Sequence, residues 1–182
     1  MAKQWLLILF TFVSMNLWAG PKVKFETSLG QFVVELNQEQ APITTANFLK
    51  YVEDGSYTGT LFHRIIPGFM VQGGGFDHTI TPKESYPSIK NEASNGLKNN
   101  TATIAMARTA NPNSATRQFF INLVDNDFLN ANTKQAGYAV FGEVIEGFNT
   151  IQHMATQPTH TQGRMNDVPV TPIIVTKVTL ID

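Results

Sequence analysis

Three short segments carry the side chains that could do chemistry. Phe62-His63-Arg64-Ile65-Ile66-Pro67-Gly68-Phe69-Met70-Val71-Gln72-Gly73-Gly74 sets one arginine and one glutamine among large apolar residues. Ala105-Met106-Ala107-Arg108 leads through a loop to Gln118-Phe119-Phe120-Ile121-Asn122. Asp127-Phe128-Leu129 is followed by Gly137-Tyr138-Ala139-Val140-Phe141-Gly142. An arginine is a permanent cation with several directed N–H donors, and a glutamine both donates and accepts. No Gly-x-Ser-x-Gly element or His–carboxylate pattern supports a hydrolase. The chain has no cysteine, which removes thiol nucleophiles, disulfides and Cys-ligated zinc. His78, His153 and His160 lack metal-ligand spacing and read as surface residues. Gly73-Gly74-Gly75 precedes no Gly-Lys-Ser/Thr or helix signal, so it does not read as a phosphate loop.

Taken one at a time, these residues have ordinary readings. Arg64 alone fits an exposed arginine in a salt bridge, and Phe69, Met70, Phe120 and Leu129 fit a core. Tyr138 fits a half-buried strand tyrosine, and His63 a structural strand histidine with a satisfied partner.

The elements that must position them are mostly short strands. Lys22–Thr27 and Gln31–Leu36 alternate polar and apolar residues around Ser28-Leu29-Gly30, which predicts a hairpin with one buried face. Residues 44–54 predict a helix, with Pro42 at its start, Ala46, Leu49 and Val52 on one face, and Gly55 as its stop. Strand-like runs follow at 61–66, 69–74, 102–107, 118–123 and 138–144. A weaker helix fits 147–155, with Phe148, Ile151 and Ala155 on one side, and residues 173–181 form a last strand. Many short strands broken by Gly, Pro and Asn predict a barrel or sandwich with two helices added.

Residues 1–19 stand apart. Lys3 is their only charge, Trp5–Val13 is apolar apart from Thr11, and Ala19 offers a small residue for cleavage. This is the layout of a secretory signal peptide, and the apolar run is too short for a span of about 20 residues. Cleavage after Ala19 leaves residues 20–182 as one domain, exported to a bacterial periplasm and with no stable membrane insertion after processing. An uncleaved anchor and a buried N-terminal helix are the alternatives. The net charge of −1 gives no broad basic surface, so nucleic acid is not an expected partner.

The segments FHRIIPGFMVQGG, MAR followed by QFFIN, and YAVFGEV together resemble the cyclophilins, a family of peptidyl-prolyl cis-trans isomerases. The resemblance covers about residues 22–181, and the leader and short loops look like the bacterial exported branch. It implies a mainly β fold: an eight-stranded antiparallel closed β-barrel capped by two α-helices. It implies a cofactor-independent, metal-free isomerase, expected as a monomer, that acts on X-Pro bonds of unfolded or flexible polypeptides.

Such a reaction explains the residue types. Rotation about a peptide C–N bond faces a barrier of ~18–20 kcal/mol from amide resonance. Reaching milliseconds from an uncatalysed scale of tens of seconds needs roughly 10⁴-fold, or ~5–6 kcal/mol of transition-state stabilisation. No bond breaks. In the twisted state the proline nitrogen becomes pyramidal and gains a lone pair that a fixed cationic donor can bind.

By the resemblance, Arg64 is that donor and Gln72 holds both Arg64 and the substrate backbone. Phe69, Met70, Phe120 and Leu129 grip the proline ring. Gln118 and Ala107-Arg108-Thr109 flank the peptide groove with main-chain groups. Phe128 stands where eukaryotic members commonly have Trp, and Tyr138 where they have His. Phe128 keeps an apolar wall without the indole N–H, so cyclosporin is expected to bind weakly. Tyr138 is expected to line the groove and offer its hydroxyl to a substrate carbonyl. The loop Thr109–Arg117 is one residue longer than in many eukaryotic members. A non-catalytic proline-binding chaperone module on the same barrel is the alternative function, which an intact Arg64 and Gln72 argue against.

Overall fold

The computed structural model describes residues 20–181; the expected leader, 1–19, lies outside them. The chain runs β1 (Lys22–Thr27), β2 (Gly30–Leu36), α1 (Pro42–Glu53), β3 (Thr60–Ile66), β4 (Met70–Asp77), β5 (Thr103–Met106) and β6 (Phe119–Asn122). A single 3-10 turn at Asp127–Leu129 follows, then β7 (Val140–Glu146), α2 (Phe148–Met154), β8 (Thr159–Gln162), β9 (Met165–Pro169) and β10 (Ile173–Ile181). Eight strands close antiparallel into a barrel in the order β1-β10-β3-β4-β6-β5-β7-β2. Closure leaves the barrel no unpaired strand edge, which settles the choice between barrel and sandwich.

The first hairpin forms as expected, with Phe25 opposite Phe32. Their rings stack at 4.8 Å inside the main core. Helix α1 starts at Pro42, and its first amides, Ile43 and Thr44, donate to the Glu92 carboxylate. Of its expected buried face only Val52 is buried. Ala46 is exposed and Leu49 only half-buried, while Thr44, Phe48, Tyr51 and Val52 face inward. The Phe48 ring lies 5.1 Å from both Tyr57 and Phe141 and 5.7 Å from Phe119. Burying an aromatic ring outweighs burying Ala and Leu, so the helix turns to its rings. Strands β8 and β9 form a separate two-stranded ribbon that the hydrophobic pattern did not announce. β8 reads Thr-His-Thr-Gln and is exposed throughout, so it has no apolar face to betray it.

The triple glycine of β4 is a packing device. A Cβ on Gly73 would lie 2.9 Å from the Phe62 ring, and one on Gly74 2.9 Å from both Phe119 and Tyr57. Gly74 also has φ +83°, where a side chain is strained. A Cβ on Gly75 would strike the Gln118 side chain at 2.5 Å. Arg117 is buried without a carboxylate partner. It donates to the carbonyls of Gly74, Glu84 and Ser56 and lies over the rings of Tyr51 and Tyr57, strapping the loop after β4 to the barrel.

His63 is a strand histidine with one ring nitrogen left unpartnered. It is 3% exposed, lies edge-on to Phe76 at 4.7 Å, and its Nδ1 has no hydrogen-bond partner. Burial pushes its pKa from 6.5 down to about 4, and the neighbouring Arg64 charge adds to the shift. An imidazole whose pKa falls on folding binds fewer protons in the folded chain than in the unfolded one. Stability is therefore full above pH 6.5 and is lost as the pH falls toward 4, by on the order of 3 kcal/mol. We expect the urea midpoint to drop between pH 7 and pH 4.5, and the drop to shrink in His63→Gln. An equal drop in both proteins would show that His63 does not drive it.

Candidate active site

Strand alternation builds the site. Along β4, Val71 points into the main core while Met70 and Gln72 point to the other face. On β6, Phe119 and Ile121 go inward and Phe120 outward; on β5, Ile104 and Met106 go inward and Ala105 outward. Register then aligns the outward residues. Gln72 pairs with both Arg64 and Phe120, and Phe120 with Ala105. The outward face carries a second apolar cluster, Met70, Ala105, Phe120, Leu129 and Val140, flanked by Phe69 and Tyr138.

On this cluster lies a cleft of about 220 Å³, lined by Arg64, Phe69, Met70, Gln72, Ala107, Arg108, Phe120, Leu129 and Tyr138. All nine were singled out from the sequence. The remaining three candidates lie outside the lining. Phe128 stacks on Phe69 at 5.5 Å and is 63% exposed, so it forms an outer rim. Gln118 sits behind Gln72. Thr109 turns away, its amide and hydroxyl both engaging the Ser114 Oγ. A larger cleft of about 730 Å³ lies between Pro21, Glu35–Glu39 and Leu97–Thr103, but no candidate residue lines it.

The polar contacts differ from expectation in one respect. Gln72 does not hold Arg64: its Nε2 donates to Gln118 Oε1 at 2.9 Å. The neighbour of Arg64 is instead Asp167 on β9, whose Oδ2 lies 3.6 Å from the Arg64 Nε. Across the cleft, the Arg108 guanidinium lies 4.3 Å above the Tyr138 ring. Its Nε donates to the Gly137 carbonyl and its Nη1 to the Thr109 carbonyl. Arg108 is thereby spent on structure, whereas Arg64 is not. The Ala107 amide is also used within the sheet, donating to the Gln118 carbonyl at 2.9 Å.

Beneath the floor lies a network of buried asparagines that the sequence reading missed. Asn126 Nδ2 donates to the Phe69 carbonyl at 3.0 Å and to Asn122 Oδ1 at 2.8 Å. Asn122 Nδ2 reaches Thr103 Oγ1 and Asn99 Oδ1, and Asn130 Oδ1 accepts from the Asn99 amide. Asn99 Nδ2 donates to the Tyr138 carbonyl. The chain of amides ties together the backbones that present Phe69, Leu129 and Tyr138. Asn122 inside Phe-Phe-Ile-Asn was the available signal: a polar residue at an otherwise buried strand position needs partners.

Chemically, the cleft offers an apolar seat, one cation with free donors at its lip, and an amide pair beside it. No group of His, Asp or Glu able to hold a metal exists among the described residues.

Comparison with known proteins gives the same reading. Residues 22–180 match the family model described as cyclophilin type peptidyl-prolyl cis-trans isomerase/CLD. A peptidyl-prolyl cis-trans isomerase of Acinetobacter baylyi is 50% identical over 161 residues, covering 88% of this chain and 86% of that one. Peptidyl-prolyl cis-trans isomerase B of Escherichia coli is 47% identical over 161 residues, 87% of this chain and 98% of the other. The crystal structure of a Cryptosporidium parvum cyclophilin type isomerase superposes with a TM-score of 0.73 at 26% identity, covering 89% of this chain and 98% of that one. A second structure of that isomerase, determined in the presence of the dipeptide Ala-Pro, superposes with a TM-score of 0.73 at 27% identity, covering 88% and 99%. With the barrel and residues 22–180 in agreement, this protein belongs to the cyclophilin type peptidyl-prolyl cis-trans isomerases.

Proposed function

We propose that Arg64 is the group that lowers the rotation barrier, acting on X-Pro bonds of unfolded or flexible exported polypeptides. The observation that carries this is the placement of Arg64. It lines a cleft with an apolar floor, and none of its donors makes a hydrogen bond to protein among the described residues. The proline ring of a substrate sits on Met70, Phe120 and Leu129, with Phe69 and its stacked neighbour Phe128 as a wall. With the ring held, the preceding carbonyl swings. The terminal N–H groups of Arg64 meet the nitrogen lone pair that exists only in the twisted amide. Interaction confined to that state accelerates rotation instead of merely tightening binding. Gln72, kept in place by Gln118, and the Tyr138 hydroxyl bind the flanking substrate carbonyls. The dipeptide used with the related Cryptosporidium parvum structure has the proline such a seat requires.

The signal-like pattern of residues 1–19 supports export to a periplasm and cleavage after Ala19. Removing 19 of the 182 residues leaves 163 and takes away both tryptophans, Trp5 and Trp18.

Three measurements test this. In a protease-coupled assay on a proline tetrapeptide, Arg64→Ala should lose roughly 10²–10³-fold in kcat/KM, the usual cost of removing one preorganised donor. Arg64→Lys should recover only part of it, since an ammonium lacks the directed fork. An Arg64→Ala enzyme as fast as wild type would end this reading. The exported protein should show tyrosine-only fluorescence, and a tryptophan emission would mean the leader is retained. Cyclosporin should inhibit weakly, because Phe128 has no N–H to donate; tight inhibition would contradict that role for Phe128.

A further inference from the structure

Asp167 has no part in the functional reading so far, yet three features of its setting converge on Arg64. The first is backbone conformation. Asp167 has φ +61°, one of three residues other than glycine with positive φ among those described. That conformation is unfavourable for a side-chain-bearing residue, and Asp is among the few that tolerate it. The second is register. Thr159 pairs with Pro169 and His160 with Val168, but Gln162 pairs with Met165. One residue of β8, Thr161, therefore stands opposite two of β9, Asn166 and Asp167. This is a β-bulge, a device that re-aims a side chain. The third is the target. The re-aimed carboxylate lies 3.6 Å from the Arg64 Nε. Only one other ion pair, Lys24–Glu26, exists among the described residues.

A stabilising role does not account for this. The two side chains are 43% and 38% exposed, and so open a pair adds little to folding stability. The left-handed backbone costs stability. What the pairing does provide is direction. A guanidinium has two distinct edges; the carboxylate lies nearest the Nε edge, and neither Nη1 nor Nη2 donates a hydrogen bond to protein among the described residues. Val168 and Pro169, both buried, anchor β9 beside β3 and hold the carboxylate in place.

We propose that Asp167 is a positioning residue. It fixes the Arg64 guanidinium by its Nε edge so that the terminal N–H groups face the proline nitrogen. This takes the place expected of Gln72, whose amide is engaged by Gln118. The proposal rests on the reading of Arg64 as the donor, and the experiment separates the two.

Three single variants, Asp167→Gly, Asp167→Asn and Arg64→Ala, and the double variant Arg64→Ala/Asp167→Gly are compared with wild type. Glycine suits the left-handed backbone, so Asp167→Gly should keep or raise the Tm. Its kcat on a proline peptide should fall about fivefold, the scale of a half-exposed charge pair, with KM nearly unchanged. Asp167→Asn, which keeps a hydrogen-bonding oxygen and tolerates the same backbone, should recover part of the loss. The Arg64 Nε–H resonance in ¹⁵N NMR should shift in Asp167→Gly, as no purely structural role requires. The double variant should be no slower than Arg64→Ala. If Asp167→Gly isomerises as wild type while Arg64→Ala is slow, the proposal fails and the donor reading stands. If Arg64→Ala is itself as fast as wild type, both fail. A loss in Asp167→Gly that persists in full on the Arg64→Ala background would also overturn the proposal, since it would not pass through Arg64.

Discussion

Arg64 stands at the lip of an apolar cleft with a carboxylate near its Nε and, among the described residues, no hydrogen bond from its guanidinium to the protein. A cation left in that condition is available to a charge or lone pair that appears during reaction. Two other arginines, Arg108 and Arg117, show the contrast, while Arg164 is exposed and lies away from the apolar cleft. Arg117 is buried and donates to three backbone carbonyls, and Arg108 is held by two carbonyls under an aromatic partner. Those side chains have spent their donors on structure. Catalysis of a rotation that makes and breaks no bond can depend only on such differential interaction, because nothing else distinguishes the twisted amide from the planar one.

The barrel supplies what an unspent arginine needs: a rigid frame and a greasy neighbour. Strands β4, β5 and β6 carry apolar side chains on both faces. Their inner side chains, Val71, Ile104, Phe119 and Ile121, belong to the core with Phe25, Phe48 and Phe141. Their outer ones, Met70, Ala105 and Phe120, floor the cleft. Packing on one face therefore fixes the spacing on the other to within a side chain's width. The asparagine network serves the same end by satisfying the backbone of the loops that bear Phe69, Leu129 and Tyr138. The triple glycine lets Phe62, Phe119 and Gln118 come up against β4, and so places Gln118 where it can hold Gln72.

Much of this was legible in the sequence, and the exceptions have physical reasons. Period-two alternation located both strands of the first hairpin, and β3, β4, β6 and β7 were found to within a few residues because apolar faces mark them. The nine lining residues came from motif company, not from any property each shows alone. Ala46 and Leu49 were assigned the buried face of α1 because spacing was read without weighing Phe48 and Tyr51 as rings. β8 and β9 went unseen because exposed polar strands carry no hydrophobic signal. Asp167 could not be found from sequence at all: a bulge and a left-handed backbone bring it to Arg64 from a hundred residues away. His63 was expected to have a satisfied partner, but the Phe76 ring packs edge-on against its imidazole and Nδ1 is left without one.

The central claim is that Arg64 acts on the twisted amide and hardly on the ground states. Two-dimensional exchange NMR on a proline peptide measures both at once: cis and trans dissociation constants from titration, and the bound-state interconversion rate from cross-peak build-up. The account predicts that Arg64→Ala keeps both dissociation constants within about threefold while interconversion slows by roughly 10²-fold or more. An equal loss in affinity and in rate would contradict it, because Arg64 would then be holding the substrate instead of its transition state.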